Sequence, residues 1–309
     1  MPVKTEAKMY LNGKIVDYAD CMVHAFSSAV KYGAGVFEGL RGYWNADKRE
    51  NYIFRLREHV ERLRFGMKAM RYNEIPSVET LEASLLEVAR ANGIRANAHY
   101  RMIAYLDGDE ELSTIGPTGL VVGAVLRPPS PRLETGIGMM VSSFPRISDS
   151  ALPPRVKCTG NYVNNRHAEL EAKAAGYEGA LMLTGEGKLS EATGACSFII
   201  RRGRVITPDV TSDILESITR ETVLELAATK LGLPVEERKV DRSELFAAEE
   251  MFCCGSGWEV LPVTSISKQP IGDGKPGPIT KAIQKAYFDV TYGRVADHPE
   301  WRTPVWQGA

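Results

Sequence analysis

The sequence predicts an α+β chain of two domains. Three observations carry this. Strands with two helices among them fill the first 126 residues, a proline-rich stretch then breaks the pattern, and strands and helices resume at Ile137. The break, Arg127-Pro-Pro-Ser-Pro131, has three prolines in four positions and reads as a stiff linker over 127–136. The first domain is then 1–126 and the second 137–309.

In order, Met9-Tyr-Leu-Asn-Gly-Lys-Ile-Val16 reads as strand, Asn-Gly turn, strand. Val36 to Tyr43 alternates like a strand, with Phe37, Gly39 and Arg41 on one face, and Tyr52 to Phe54 is short and apolar. Leu56, Val60, Leu63, Met67 and Met70 recur at helical steps. A second helix runs from Val78 to Asn92 and stops at Gly93. Tyr100–Leu106 and Leu120–Leu126 are strands. Beyond the linker the expected strands are Ile137–Phe144, Gly179–Leu183 and Phe198–Ile206. The expected helices are Val163–Gly176, Ile218–Gly232, a short one at Glu244–Glu250 with an Asp241/Glu244 capping box, and Ile279–Tyr292.

Charge narrows the function classes. Lys plus Arg number 38 and Asp plus Glu 39, a net of −1 over 309 residues, so the chain is no polycation for nucleic acid or anionic membrane. The longest uncharged run noted, Leu112 to Leu126, is shorter than the ~18 residues of a span and holds four glycines or prolines. The polar N-terminus shows no signal-peptide core. Five cysteines, an odd count with two adjacent and no CxxC, argue against a disulfide framework or zinc knuckle and for reduced thiols in the cytoplasm. Five unclustered histidines argue against a metal site or a Ser-His-Asp triad.

Five stretches could carry chemistry. Lys157-Cys-Thr-Gly-Asn-Tyr162 offers an amine beside a turn, a nucleophile for a carbonyl if it is desolvated. Ser190-Glu191 is followed by small residues that would not shield the acid from a ligand. Ile218-Thr219 opens a helix whose free N–H groups suit a phosphate. Gly255-Ser256-Gly257 permits close backbone approach to an anion. Glycines 33, 35, 39 and 42 among aromatics suggest a strand approached by something, without dinucleotide-binding spacing. The first four have plainer readings: a solvated lysine, an exposed turn carboxylate, an N-cap at Ser217, a hairpin turn.

Their order is more specific than any one of them. Tyr32-Gly-x-Gly-Val-Phe-Glu-Gly-Leu-Arg41, Phe54-Arg-x-Arg-Glu-His-x-x-Arg-Leu63, Lys157-x-x-Gly-Asn-Tyr162, Ser190-Glu-x-x-Gly194, Ile218-Thr-Arg220 and Gly277-Pro-x-Thr280 together resemble the branched-chain aminotransferase group of the fold-type IV pyridoxal-phosphate enzymes. The resemblance implies a D-amino acid aminotransferase-like fold, with a small α/β domain followed by a larger α+β barrel-like one. It implies pyridoxal 5'-phosphate as cofactor and a homodimer or larger even assembly. It further implies that Lys157 carries the cofactor aldehyde as a Schiff base and shuttles a proton, that Glu191 faces the pyridine nitrogen, and that Tyr162 faces the phenolic oxygen. Leu215 would pack on the ring. Arg55, Ile218, Thr219 and Ser256 would hold the phosphate. Tyr32, Phe37, Gly39, Arg101 and Gly257 would line the substrate side. The expected reaction is ping-pong transfer from a branched-chain or other hydrophobic L-amino acid to 2-oxoglutarate. The alternatives are an (R)-selective amine or D-amino-acid transaminase and an aminodeoxychorismate lyase. The chain departs from the family pattern at Ser217, Cys196 and Gly255-Ser256-Gly257-Trp258.

Overall fold

The computed structural model describes residues 6–108 and 111–307; Met1–Thr5, part of the peptide in which no signal core was read, lies outside them. The chain forms two compact units. One gathers Met1–Pro128, Val156–Gly160 and Val290–Ala309, and the other Pro129–Arg155 and Asn161–Asp289. Two segments that the sequence boundary assigns to the second domain thus belong with the first.

In the first unit, β1 (Lys8–Leu11) and β2 (Lys14–Asp17) form the expected hairpin. Its turn residues Asn12 and Gly13 have φ of 47° and 91°, the left-handed pair a tight two-residue hairpin requires. Then come α1 (Ser28–Tyr32), β3 (Gly35–Asn45), β4 (Glu50–Phe54), α2 (Leu56–Ala69), α3 (Val78–Ala91), β5 (Ala98–Leu106) and β6 (Thr118–Leu126). The periodic residues of both helices, among them Leu56, Val60, Leu63, Leu81 and Leu85, share one core with Val36 and Leu40 of β3 and Tyr100 and Met102 of β5. The opposite face of β3 and β5 is left for other work.

A C-terminal strand, Arg302–Pro304, pairs antiparallel with β4 and completes the sheet. The residues after it are held by Glu50, a fully buried carboxylate that accepts the backbone N–H groups of Val305, Trp306 and Gln307 at 2.8–2.9 Å. Glu50→Gln keeps the shape but turns an amide N–H toward one of these donors. It should destabilise the protein by about 1.5–3 kcal/mol and expose the last residues to protease. A chemical melt that matches wild type would refute this.

The second unit contains α4 (Arg132–Thr135), β7 (Ile137–Val141), α5 (Tyr162–Ala174), β8 (Gly179–Leu183), β9 (Leu189–Ala192), β10 (Ala195–Arg201), β11 (Arg204–Thr207), α6 (Ile218–Glu225), β12 (Val235–Glu237), β13 (Glu250–Gly255), β14 (Glu259–Ile266), β15 (Gln269–Pro270) and α7 (Pro278–Thr291). Strands β10-β13-β14-β7-β8-β9 pair in sequence, and β9 pairs back to β10, so six strands close on themselves.

Several expectations need correction. Phe198–Ile206 is not one strand but the β10–β11 hairpin, turning at Arg202 and Gly203 with φ of 52° and 70°. The linker is not extended throughout, because Arg132–Thr135 makes a helical turn after Pro131. The strand from Ile137 ends at Val141, where the Ser142 hydroxyl donates to Glu171 and accepts the Phe144 N–H. The helix from Ile218 runs α-helical to Glu225 and widens into a π turn over Leu226–Lys230. The Asp241/Glu244 capping box is present on a 3-10 helix, Arg242–Ala247.

Candidate active site

Lys157 sits on an irregular segment rather than a strand end, and β3 holds that segment from the side. The Phe37 N–H donates to the Lys157 carbonyl at 3.0 Å, and the Thr159 N–H to the Gly35 carbonyl at 2.8 Å. The Thr159 hydroxyl donates to the Gly33 carbonyl at 2.7 Å. A Cβ on Gly33 would meet the Gly160 backbone at 3.0 Å, and its φ of +67° also favours glycine. What approaches the backbone at Gly33 and Gly35 is therefore the lysine segment itself.

The Lys157 Nζ lies 4.9 Å from the centre of the Phe37 ring, and the Arg101 guanidinium 5.5 Å from the same ring. Register sets Gly39 opposite Arg101 and Arg41 opposite His99, so Phe37, Gly39, Arg41, His99 and Arg101 share one sheet face. A Cβ on Gly39 would meet the His99 ring at 3.1 Å. Burial pushes the His99 imidazole down to about 3, and Arg101, Arg127, Arg41 and Lys157 push the same way. This face thus joins a primary amine, fixed cations and a neutral imidazole, a surface for an anion.

On the other face, Arg62 grips Glu38 with Nε and Nη2 at 2.7 and 2.8 Å, and His59 Nδ1–H donates to Glu38 at 2.7 Å. Burial would raise the Glu38 acid, but Arg62 and then His59 outweigh it and hold it well below the carboxylate range. The His59 imidazole is lowered first by its own burial; Glu38 pulls it the other way, and Arg62 and Lys157 add to the lowering. Arg55, 5% exposed, stands at the start of α2. Its Nε donates to Glu58 at 2.7 Å and its guanidinium lies 5.0 Å from the Trp301 ring centre. Tyr32, at the end of α1, is 48% exposed.

In the second unit Glu191 lies within β9 with 5% exposure, so it is no solvated turn carboxylate. Its Oε1 pairs with Arg146 Nη2 at 3.0 Å, and its Oε2 accepts the Leu215 N–H at 3.1 Å. Cys196 stands beside it, its Sγ 3.9 Å from Oε2 and 3.5 Å from the Leu215 carbonyl. Tyr162 opens α5 and lines a surface pocket of about 340 Å³ with Thr193, Gly194 and Trp258. Ser217 caps α6 by accepting the Arg220 N–H, and Ile218 and Thr219 lie buried in its first turn. The Arg220 guanidinium is bound to Pro208 and Glu237. Ser256 and Gly257 form the turn between β13 and β14, closed by Trp258 N–H to the Gly255 carbonyl at 3.0 Å.

Each unit carries candidate residues of its own. One has Lys157 with Phe37, Gly39 and Arg101; the other has Glu191 bonded to Leu215, and Ile218 and Thr219 at a helix start. Sequence reading named neither Arg146 nor the Glu38–His59–Arg62 cluster as functional. The cluster had a signal, since His59 and Arg62 are one turn apart on α2, but Arg146 is a single arginine in a loop.

The family model for class IV amino-transferases matches residues 35–266. A probable branched-chain-amino-acid aminotransferase of Aquifex aeolicus is 36% identical over 299 residues, 96% of both chains. A branched-chain amino acid aminotransferase from Thermobaculum terrenum, solved in its PLP form, superposes with a TM-score of 0.91 at 39% identity over 98% of this chain and 99% of that one. The T.th. branched-chain amino acid aminotransferase, solved with N-(5'-phosphopyridoxyl)-L-glutamate, gives 0.92 at 33% identity over 97% and 99%. An amine held to one strand face, a buried carboxylate and a six-stranded closed sheet accord with that match, which spans the segments carrying all three: the chain belongs to the class IV aminotransferases.

Proposed function

We propose that this pyridoxal-phosphate-dependent transaminase moves the amino group of a branched-chain or other hydrophobic L-amino acid to 2-oxoglutarate. The observation that carries the reading is an apolar ring, Phe37, and a carboxylate-binding cation, Arg101, on one face of β3 and β5, with the Lys157 amine on the same ring. The names of the relatives support the donor class, and the glutamate-bearing ligand of the T.th. structure supports the acceptor.

The residues fit pyridoxal phosphate on their own chemistry. Lys157 offers an amine for an aldehyde. Glu191 is a buried carboxylate, the acceptor a ring N–H requires. The first turn of α6 and the Ser256 turn offer N–H and hydroxyl donors to a phosphate. When bound, the cofactor supplies the carbonyl that takes the amino group and an electron-withdrawing ring. Lys157 Nζ carries the proton to and from the substrate α-carbon, Tyr162 donates to the phenolic oxygen, Leu215 covers the ring, and Arg101 holds a substrate carboxylate. Phe37, Gly39, Tyr32 and Gly257 shape the substrate side. The chain acts as a homodimer or larger even assembly; Met22, Phe26 and Val30 are 73%, 65% and 59% exposed and offer an apolar surface to a second copy, which light scattering would register.

Arg55 is the phosphate cation of this reading. Arg62 lies on the face of β3 opposite Phe37, with Nε and Nη2 both on Glu38, whereas Arg55 stands at the start of α2 with Nε on Glu58. Arg55→Ala should weaken cofactor retention in dialysis by about 1.5–3 kcal/mol. Unchanged retention would remove Arg55 from the phosphate site.

The function is tested by a donor panel of L-amino acids, D-amino acids and (R)-amines with 2-oxoglutarate and pyruvate. Leucine, isoleucine and valine with 2-oxoglutarate should be best. A D-amino acid or (R)-amine as best donor, or pyruvate release from aminodeoxychorismate without an acceptor, would overturn it.

A further inference from the structure

Arg146 lies in the loop after β7, its side chain 3% exposed. Such a charge is costly to bury unless it is paired and fixed. Three contacts fix it. Its own N–H donates to the Leu183 carbonyl at 2.8 Å. Its Nη1 donates to Asn165 Oδ1 at 2.8 Å, and Asn165 in turn donates to the Thr193 carbonyl at 2.7 Å. Its Nη2 pairs with Glu191 at 3.0 Å, while its Nε is buried without a hydrogen-bond partner. The fork is therefore aimed: one tip is tied to α5, and the other is spent on Glu191.

We propose that Arg146 is a positioning residue that holds Glu191 as an anion, so that a proton shared between Glu191 and the cofactor ring nitrogen stays on the nitrogen. The inference rests on the reading of Glu191 given above. In a dry site, a carboxylate facing a pyridinium gains by taking the proton, because two neutral groups need less solvation than two ions. A fixed guanidinium on the far oxygen reverses that preference, since it stabilises only the charged carboxylate. The Leu215 N–H acts the same way on the other oxygen. Arg146 touches neither substrate nor cofactor in this scheme; it acts through Glu191.

The test is the nitrogen resonance of holoenzyme reconstituted with pyridoxal phosphate labelled with ¹⁵N in the ring. Wild type should show the protonated ring. Arg146→Gln should move the resonance toward the unprotonated position and slow the amino-acid half-reaction roughly tenfold or more, the scale of one lost charge-assisted contact. Arg146→Lys, which keeps the charge, should recover part of both. An unchanged resonance in Arg146→Gln overturns the proposal. Glu191→Gln separates the two claims: if it too leaves the resonance in place, the reading of Glu191 is at fault, and if it alone moves the resonance, Arg146 is. Where Arg146→Gln does not fold, Asn165→Leu frees the Nη1 tip and decides the matter. A displacement in the same direction upholds the proposal, and none overturns it.

Discussion

Lys157→Ala should lose turnover by several orders of magnitude and still fold. General acid–base transfer alone contributes roughly 10²–10⁴-fold, and the same substitution removes the amine that takes the cofactor aldehyde. The fold survives because the segment is held by its backbone: the Phe37 N–H bond to the residue-157 carbonyl and the Thr159 bonds to Gly33 and Gly35 do not involve the amine. Borohydride reduction of the wild-type holoenzyme, followed by digestion, should fix the cofactor on the peptide containing Lys157. A label on another lysine, or a variant that turns over near the wild-type rate, would end the assignment.

Glu191→Gln is the second large effect. The amide matches the carboxylate in size but carries no charge for a ring N–H, and it must turn an N–H toward either Arg146 or the Leu215 N–H. The amino-acid half-reaction, followed by stopped-flow bleaching of the cofactor, should slow by roughly 10²-fold or more, within the energy of one or two charge-assisted contacts. Cofactor retention should change much less, since the proposed phosphate and amine contacts lie on other residues. Near-normal single-turnover rates would remove Glu191 from the chemistry.

Regular elements were legible because burial imposes a period on them. The steps of α2 and α3 give their helices, and the Asn12-Gly13 pair gives the first hairpin. The Arg202-Gly203 turn was missed because apolar residues continue on both sides of it, and a run of Ile and Val reads as one strand when its turn is two polar residues long. At the site, Lys157, Glu191 and the α6 start stand in short motifs where the chain turns sharply, and these can be read along the sequence. Arg55 and Arg62 are both arginines of one motif. What tells them apart is tertiary: Arg62 pairs with Glu38 of β3, and Arg55 lies against Trp301, which comes from the far end of the sequence. Arg146 is legible nowhere, since its partner Glu191 reaches it through pairing of β8 with β9.

The clamp at Glu50 has a consequence for synthesis. Its acceptor oxygens wait for N–H groups 255 to 257 positions later in the chain. At ~5–20 residues per second, a ribosome needs on the order of 10–50 s to reach them. Through that interval the β4 edge of the nascent first unit has no C-terminal strand beside it, and Val305 and Trp306 are missing from its core. The first unit to emerge is therefore completed only after residues 305–307 are made. A stop codon before residue 305 would leave a buried carboxylate without these donors.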